Sequence, residues 1–126
     1  MSKRHLLIIA HGSRRAASND EVRRLGSQVE HQRGQAIGAV SVAFLELAEP
    51  GIPAALDRCA EQGAREIIVL PYFLAAGTHV AQDIPKALAA FRDRHPEIAL
   101  RLAPHLGDSA MLPWIILDLA ASFALP

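Results

Sequence analysis

Four apolar runs of strand length, each followed by a stretch with helical periodicity, constrain the fold of this chain more than any other feature. The first run, Leu6-Leu7-Ile8-Ile9-Ala10, has no polar residue on either side of a pleat. The third, Glu66 to Leu70, is continuously apolar from Ile67 onward. A strand with one wet face alternates apolar and polar residues, whereas a strand covered on both faces, as in parallel sheets, does not. The second run is Ala39 to Leu45 and the fourth is Ile98 to Leu102. The intervening helical stripes are Val22, Leu25 and Val29, then Ile52, Leu56 and Cys59, then Ile84, Leu88 and Phe91. A last helix carries Leu112, Trp114, Ile115, Ile116, Leu119 and Phe123, an apolar surface wider than one sheet contact requires. A βα unit repeated four times predicts a single three-layer α/β domain over residues 1–126. Its core is a four-stranded parallel sheet flanked by helices and joined by right-handed crossovers. Strand order does not follow from the pattern.

Local signals suggest where the helices begin and end. Ser18-Asn19-Asp20-Glu21 reads as a capping box, with Ser18 as N-cap and Glu21 at the third position. Glu49-Pro50-Gly51 opens the second helix and Gly63 closes it. Asp83 reads as the cap of the third, with Pro85 in its tolerant first turn, which leaves Tyr72 to His79 as a long apolar loop. Asp108 or Ser109 caps the last helix.

The chain has 126 residues, of which 51% are hydrophobic and 21% charged, values that exclude disorder and suit one well-buried domain. Thirteen basic residues balance thirteen acidic ones, so no global positive field exists to attract nucleic acid. Cys59 is the single cysteine, so no intrachain disulfide or thiolate cluster can form, and a reducing compartment is expected. The first apolar run lacks the length of a signal peptide. The last is broken by Asp118 and is shorter than the ~20 residues of a membrane span. A cytoplasmic protein with no membrane partner is expected.

Three acid–base side chains follow three of the apolar runs. His11 comes directly after Ala10, Glu46 after Leu45, and His79 a short loop beyond Leu70. In a parallel sheet all three emerge at the carboxyl edge, where open α/β sheets bind ligands. Two imidazoles and a carboxylate there could hold a divalent metal and move protons. Each also has a plainer reading: His11 as a structural residue at a strand end, His79 as an exposed histidine at a helix start, Glu46 as a loop carboxylate in water. Flanked by Leu45 and Leu47, Glu46 is expected to be partly desolvated, which would raise its pKa and suit it to proton transfer. Gly12 lets backbone approach a ligand closely, and Ser13 and Arg14 suit anionic groups. His105 falls on the same edge. His5, His31 and His95 read as solvated, and Cys59 as core filling. The chain contains no G-x-G-x-x-G, P-loop, G-x-S-x-G or H-E-x-x-H signature. His11-Gly12 has the look of a phosphohistidine loop, but Ala10 stands where a phosphate-gripping arginine would be wanted.

Taken together, three motifs resemble a known family. Leu7-Ile8-Ile9-Ala10-His11-Gly12-Ser13-Arg14 is similar to the opening of the small class II sirohydrochlorin chelatases. Phe44-Leu45-Glu46 with Pro50 resembles their second motif. Leu70-Pro71-Tyr72-Phe73-Leu74, Gly77-Thr78-His79-Val80 and Asp83-Ile84-Pro85 resemble their third. The motifs come in the same order and cover nearly the whole chain. The resemblance implies a chelatase-like domain with flavodoxin-like winding. It also implies a lyase that inserts a divalent metal into sirohydrochlorin without nucleotide, in tetrapyrrole and cobalamin biosynthesis. Cobalt is favoured by family frequency; iron or nickel insertion is the alternative. By carry-over, His11 and His79 are the metal and proton-handling histidines, and Glu46 assists them. Ser13 and Arg14 would receive the substrate's carboxylates, and Tyr72, Phe73 and Thr78 would line the macrocycle. Larger relatives carry two such domains in one chain, so a homodimer is expected here. A histidine-rich tail, found in some members, is absent from the sequence, so metal storage is not expected. Two other classes compete: a non-enzymatic metal or tetrapyrrole carrier on the same scaffold, and a hydrolase or phosphoryl-transfer enzyme using His11.

Overall fold

The computed structural model describes residues 2–125, apart from the side chain of His79. The elements alternate as expected: β1 (Arg4–Ala10), α1 (Ala16–Gln32), β2 (Ala39–Phe44), α2 (Ile52–Glu61), β3 (Glu66–Pro71), α3 (Thr78–Arg94), β4 (Ala99–Leu102) and α4 (Leu112–Ser122), with a short 3-10 turn at Leu106–Asp108. The strands form one sheet in the order β2-β1-β3-β4, every pair parallel. The register sets Ile8 beside Val42 and Leu70, and Ile9 beside Ala43 and Pro71. Successive side chains alternate between faces. One face therefore carries Leu7, Ile9, Ala43, Ile67, Val69 and Leu100 into a core closed by Leu56 and Cys59 of α2 and by Ile84, Leu88 and Phe91 of α3. Cys59 fills core as expected, and burial pushes its thiol pKa up.

Helix α1 lies on the other face against β2. It comes close because residue 26 is glycine: a β-carbon there would meet Val42 Cγ2 at 2.5 Å. Edge strand β2 is blunted from outside, since Glu30 Oε2 accepts the Val40 N–H at 2.8 Å and the Pro50 carbonyl accepts that of Phe44 at 2.9 Å.

Several local expectations are corrected. Helix α1 starts at Ala16 with Arg15 as N-cap and no side-chain cap, so Ser18 is inside the helix and the capping box does not form. Helix α3 starts at Thr78, five residues before Asp83, and holds Pro85 in its interior. The apolar loop is therefore shorter than expected, because Thr78 and His79 are already helical. Helix α4 begins after the 3-10 turn, past both Asp108 and Ser109. His5 is buried, not solvated, and burial lowers its imidazole pKa. Helix α4 was expected to make a sheet contact and have apolar surface to spare; it buries none of its residues and packs mainly on the 3-10 turn. No helix among the described residues is long and apolar enough to cross a membrane.

Candidate active site at the carboxyl edge of the sheet

The pairing of β1 with β2 continues past the ends of both strands. Leu45 donates its N–H to the Ala10 carbonyl at 2.9 Å, and Glu46 donates its N–H to the His11 carbonyl at 3.2 Å. This puts residues 11 and 46 side by side on neighbouring loops. Gly12 makes the approach possible: its φ is +93°, and a β-carbon would lie 1.8 Å from the Glu46 carbonyl oxygen. The two side chains then meet, His11 Nε2 to Glu46 Oε1, at 3.1 Å. In the neutral tautomer that donates from Nε2 to this carboxylate, the Nδ1 lone pair is open to a metal or a proton.

The loop after β3 supplies the third side. Tyr72 donates its N–H to the Ile9 carbonyl at 2.7 Å, which carries the next residue, Phe73, toward His11. The rings stand edge to face, with centroids 6.5 Å apart and planes at 86°. Phe73 also packs on the core, so the imidazole has one fixed apolar wall. The loop after β4 abuts this one: Gly107 donates to the Phe73 carbonyl at 2.9 Å, and a β-carbon at Gly107 would lie 1.7 Å from the Leu74 carbonyl oxygen. His105 is on that loop, 3.5 Å from Asp108, and lines a small apolar pocket of 170 Å³ with Phe73, Val80, Ile84 and Leu102.

The expected site residues divide as follows. His11, Glu46 and Phe73 are brought together. Glu46 is not desolvated, because its side chain is 59% exposed; its environment is water and His11, and Leu45 and Leu47 do not enclose it. Ser13 accepts the Arg15 N–H on its hydroxyl at 3.0 Å, and Arg14 is exposed beside it. Tyr72 and Thr78 are exposed on the rim. His79 is the second residue of α3, whose start lies at this same edge, and its side chain is outside the described residues. Among the described residues no group of three His, Cys, Asp or Glu side chains converges to hold a metal. A hollow of 650 Å³ lies at the opposite edge among Lys3, Asp57, Arg65, Arg94 and Glu97. Two of its charged groups are paired, Arg94 with Asp57 at 2.9 Å and Glu97 with His95 at 3.1 Å, and no loop from a strand's carboxyl end lines it.

One residue of the site is missed by sequence reasoning. Asn19 is buried in the first turns of α1 and binds the backbone of Ser13 twice, accepting its N–H at 2.9 Å and donating to its carbonyl at 2.8 Å. The available signal was an asparagine inside a helix, where its side chain competes with the backbone and needs another partner.

The family model CbiX matches residues 5–122. A sirohydrochlorin cobaltochelatase of Methanocaldococcus jannaschii is 39% identical over 90 residues, which are 71% of this chain and 62% of that protein. A chloroplastic sirohydrochlorin ferrochelatase of Arabidopsis thaliana is 34% identical over 113 residues, 90% of this chain and 49% of that one. The chain thus spans about half to three fifths of these curated relatives. Among solved structures, a putative cobalamin (vitamin B12) biosynthesis CbiX protein from Marinobacter aquaeolei VT8 superposes with a TM-score of 0.80 at 28% identity, covering 94% of this chain and 95% of that one. A fold of this topology, an imidazole–carboxylate pair at its carboxyl edge and a family match over nearly its whole length lead to one assignment: the chain belongs to the CbiX family.

Proposed function

We propose that this protein inserts a divalent metal into sirohydrochlorin without nucleotide, as a sirohydrochlorin metal chelatase of tetrapyrrole biosynthesis. The observation that carries the reading is the His11–Glu46 contact at 3.1 Å, at the open carboxyl edge of a CbiX-family sheet. Insertion exchanges one divalent cation for two protons on pyrrole nitrogens, so the site needs a base and a transient ligand. Imidazole serves as both near neutral pH and accepts cobalt, nickel and iron. Glu46 fixes the ring's orientation and stabilises the imidazolium that forms when His11 takes a proton. His79 provides the second imidazole from the start of α3. A small number of protein ligands suits a metal that must leave for the macrocycle.

The substrate is a flat polycarboxylate. Arg14, Ser13 and the nearby helix start receive its acid groups, and Tyr72, Phe73 and Thr78 line its ring. Cobalt is the favoured metal, with iron and nickel as alternatives; relatives named for cobalt and for iron both match the chain. The enzyme works in the cytoplasm and as a homodimer. Two observations support the dimer: α4 leaves Trp114, Ile116, Leu117 and Leu119 each more than half exposed, and the 170 Å³ pocket beside Phe73 is smaller than the ~300–1,000 Å³ of ordinary ligand sites.

Anaerobic incubation with cobalt and sirohydrochlorin, without ATP, tests the reading. Spectral conversion well above the protein-free rate is expected, falling by about 100-fold or more in His11→Ala and in His79→Ala. Conversion no faster than without protein, despite tight binding, would make the protein a carrier and end the enzyme reading.

A further inference from the structure

We propose that α1 clamps the two catalytic loops in register, with Asn19 and Arg23 as positioning residues for metal insertion. The kinetic part of this inference rests on the chelatase reading; the clamp itself rests on geometry alone. Asn19 and Arg23 are one helical turn apart and leave α1 on the same side. Asn19 takes both backbone groups of Ser13, at 2.9 and 2.8 Å, as a neighbouring strand would. It is only 7% exposed, so water does not compete for these bonds. Ser13 cannot swing away from α1, and His11 is two residues upstream in the same turn.

Arg23 treats the second loop in the same way. Its Nη2 donates to the Glu49 carbonyl at 2.9 Å, its guanidinium lies 5.0 Å over the Phe44 ring, and its Nη1 is steadied by Asp20 at 3.0 Å. Glu46 lies between those two anchor points. The helix is itself seated on β2 through Gly26. His11 and Glu46 are 54% and 59% exposed, and so exposed a polar contact contributes little to ordering two loops. Backbone bonds from Leu45 to Ala10 and from Glu46 to His11 join the loops at their roots, and α1 adds a second hold on each through Asn19 and Arg23.

The test uses the intact protein and the variants Asn19→Ala, Asn19→Asp and Arg23→Met, with melting temperature as a check on folding. Asn19→Ala is expected to lower kcat for cobalt insertion by about tenfold with KM for sirohydrochlorin nearly unchanged. Asn19→Asp should recover part of that loss, since a carboxylate still accepts the Ser13 N–H but cannot donate to its carbonyl. Arg23→Met keeps an unbranched apolar side chain of similar reach, loses the bond to Glu49 and should lower kcat in the same way. In a Glu46→Gln background Asn19→Ala should cost less, because the alignment it serves has lost its charge. Wild-type kcat in a folded Asn19 or Arg23 variant overturns the role of that residue, and equal losses with and without Glu46→Gln overturn the mechanism. Amide exchange at Ser13, read without substrate, should speed up in Asn19→Ala; unchanged exchange overturns the clamp whatever the activity. If the wild-type protein inserts no metal, the proposed function falls, and the clamp is still judged by Ser13 exchange.

Discussion

A β-carbon at residue 12 would sit 1.8 Å from the Glu46 carbonyl oxygen, on a backbone with φ of +93°. The obstacle is main chain, not the end of a flexible side chain, so it cannot step aside. Gly12→Ala must therefore either part the two loops or move β1, and the positive φ alone costs a residue with a β-carbon about 1–2 kcal/mol. The variant should lose at least about 2 kcal/mol of stability and much of its insertion rate, a loss that chemical denaturation and the cobalt assay would register together. A glycine-to-alanine variant of wild-type stability would mean that the loops are not in this contact. At this scale the sequence was informative where chemistry follows a strand end: His11 and Glu46 are neighbours because each comes just past an apolar run, in adjacent strands. It was misleading where a local rule competed with a tertiary one. Asn19 fits a capping box within four residues of sequence, but its partner is Ser13, six positions back, across a turn that no short window reveals. Glu46 looked desolvated because its sequence neighbours are leucines, while the space around it is set by the loop's direction into solvent.

Between the elements, Glu66 ties three strands together. It starts β3, which lies between β1 and β4, and its carboxylate accepts Arg4 Nε at 2.6 Å and Arg101 Nε at 2.7 Å. The bond from Arg4, helped by Arg101, holds the Glu66 pKa below its ordinary 4.5. A carboxylate depressed in the folded state contributes stability above its unfolded pKa and loses it as pH falls through the folded value. Glu66→Gln should therefore melt below wild type at pH 7, and the gap should close as pH drops beneath 4.5. Melting curves across pH 3 to 7 check the sign; a gap that persisted in acid would mean the group acts by packing and not by charge. The strands themselves were legible because continuous apolar runs leave few other uses for them. Their order was not, since pairing between segments far apart in sequence leaves no local trace. Asp83 and Pro85 form a plausible first turn in sequence, which puts the expected start of α3 too late. The helix instead absorbs Pro85 and gives up the bond its missing N–H would have made.

For the whole molecule, α4 is the element that this chain alone does not explain. Trp114, Ile115, Ile116, Leu117 and Leu119, with Phe123 just past the helix end, are between 49% and 86% exposed, on all sides of α4. Monomeric proteins rarely leave so contiguous an apolar surface in water. The sequence showed the excess but not its extent, because periodicity cannot tell a helix half-covered by its own sheet from one that is not covered. Helix α4 packs on the 3-10 turn whose Gly107 bonds the Phe73 carbonyl, so a second copy that buries α4 would sit beside the loops of the carboxyl edge. The occupant is then predicted by what its removal does. Ile116→Glu puts a charge into the proposed interface without touching the monomer's core, so the monomer should keep its helical signal while the dimer dissociates. Sedimentation at micromolar concentration should give twice the chain mass for the wild type and a single chain for the variant, with insertion slowed in step. A wild-type monomer that inserts cobalt at full rate would show that one copy of this edge suffices, and α4 would then need a partner of another kind.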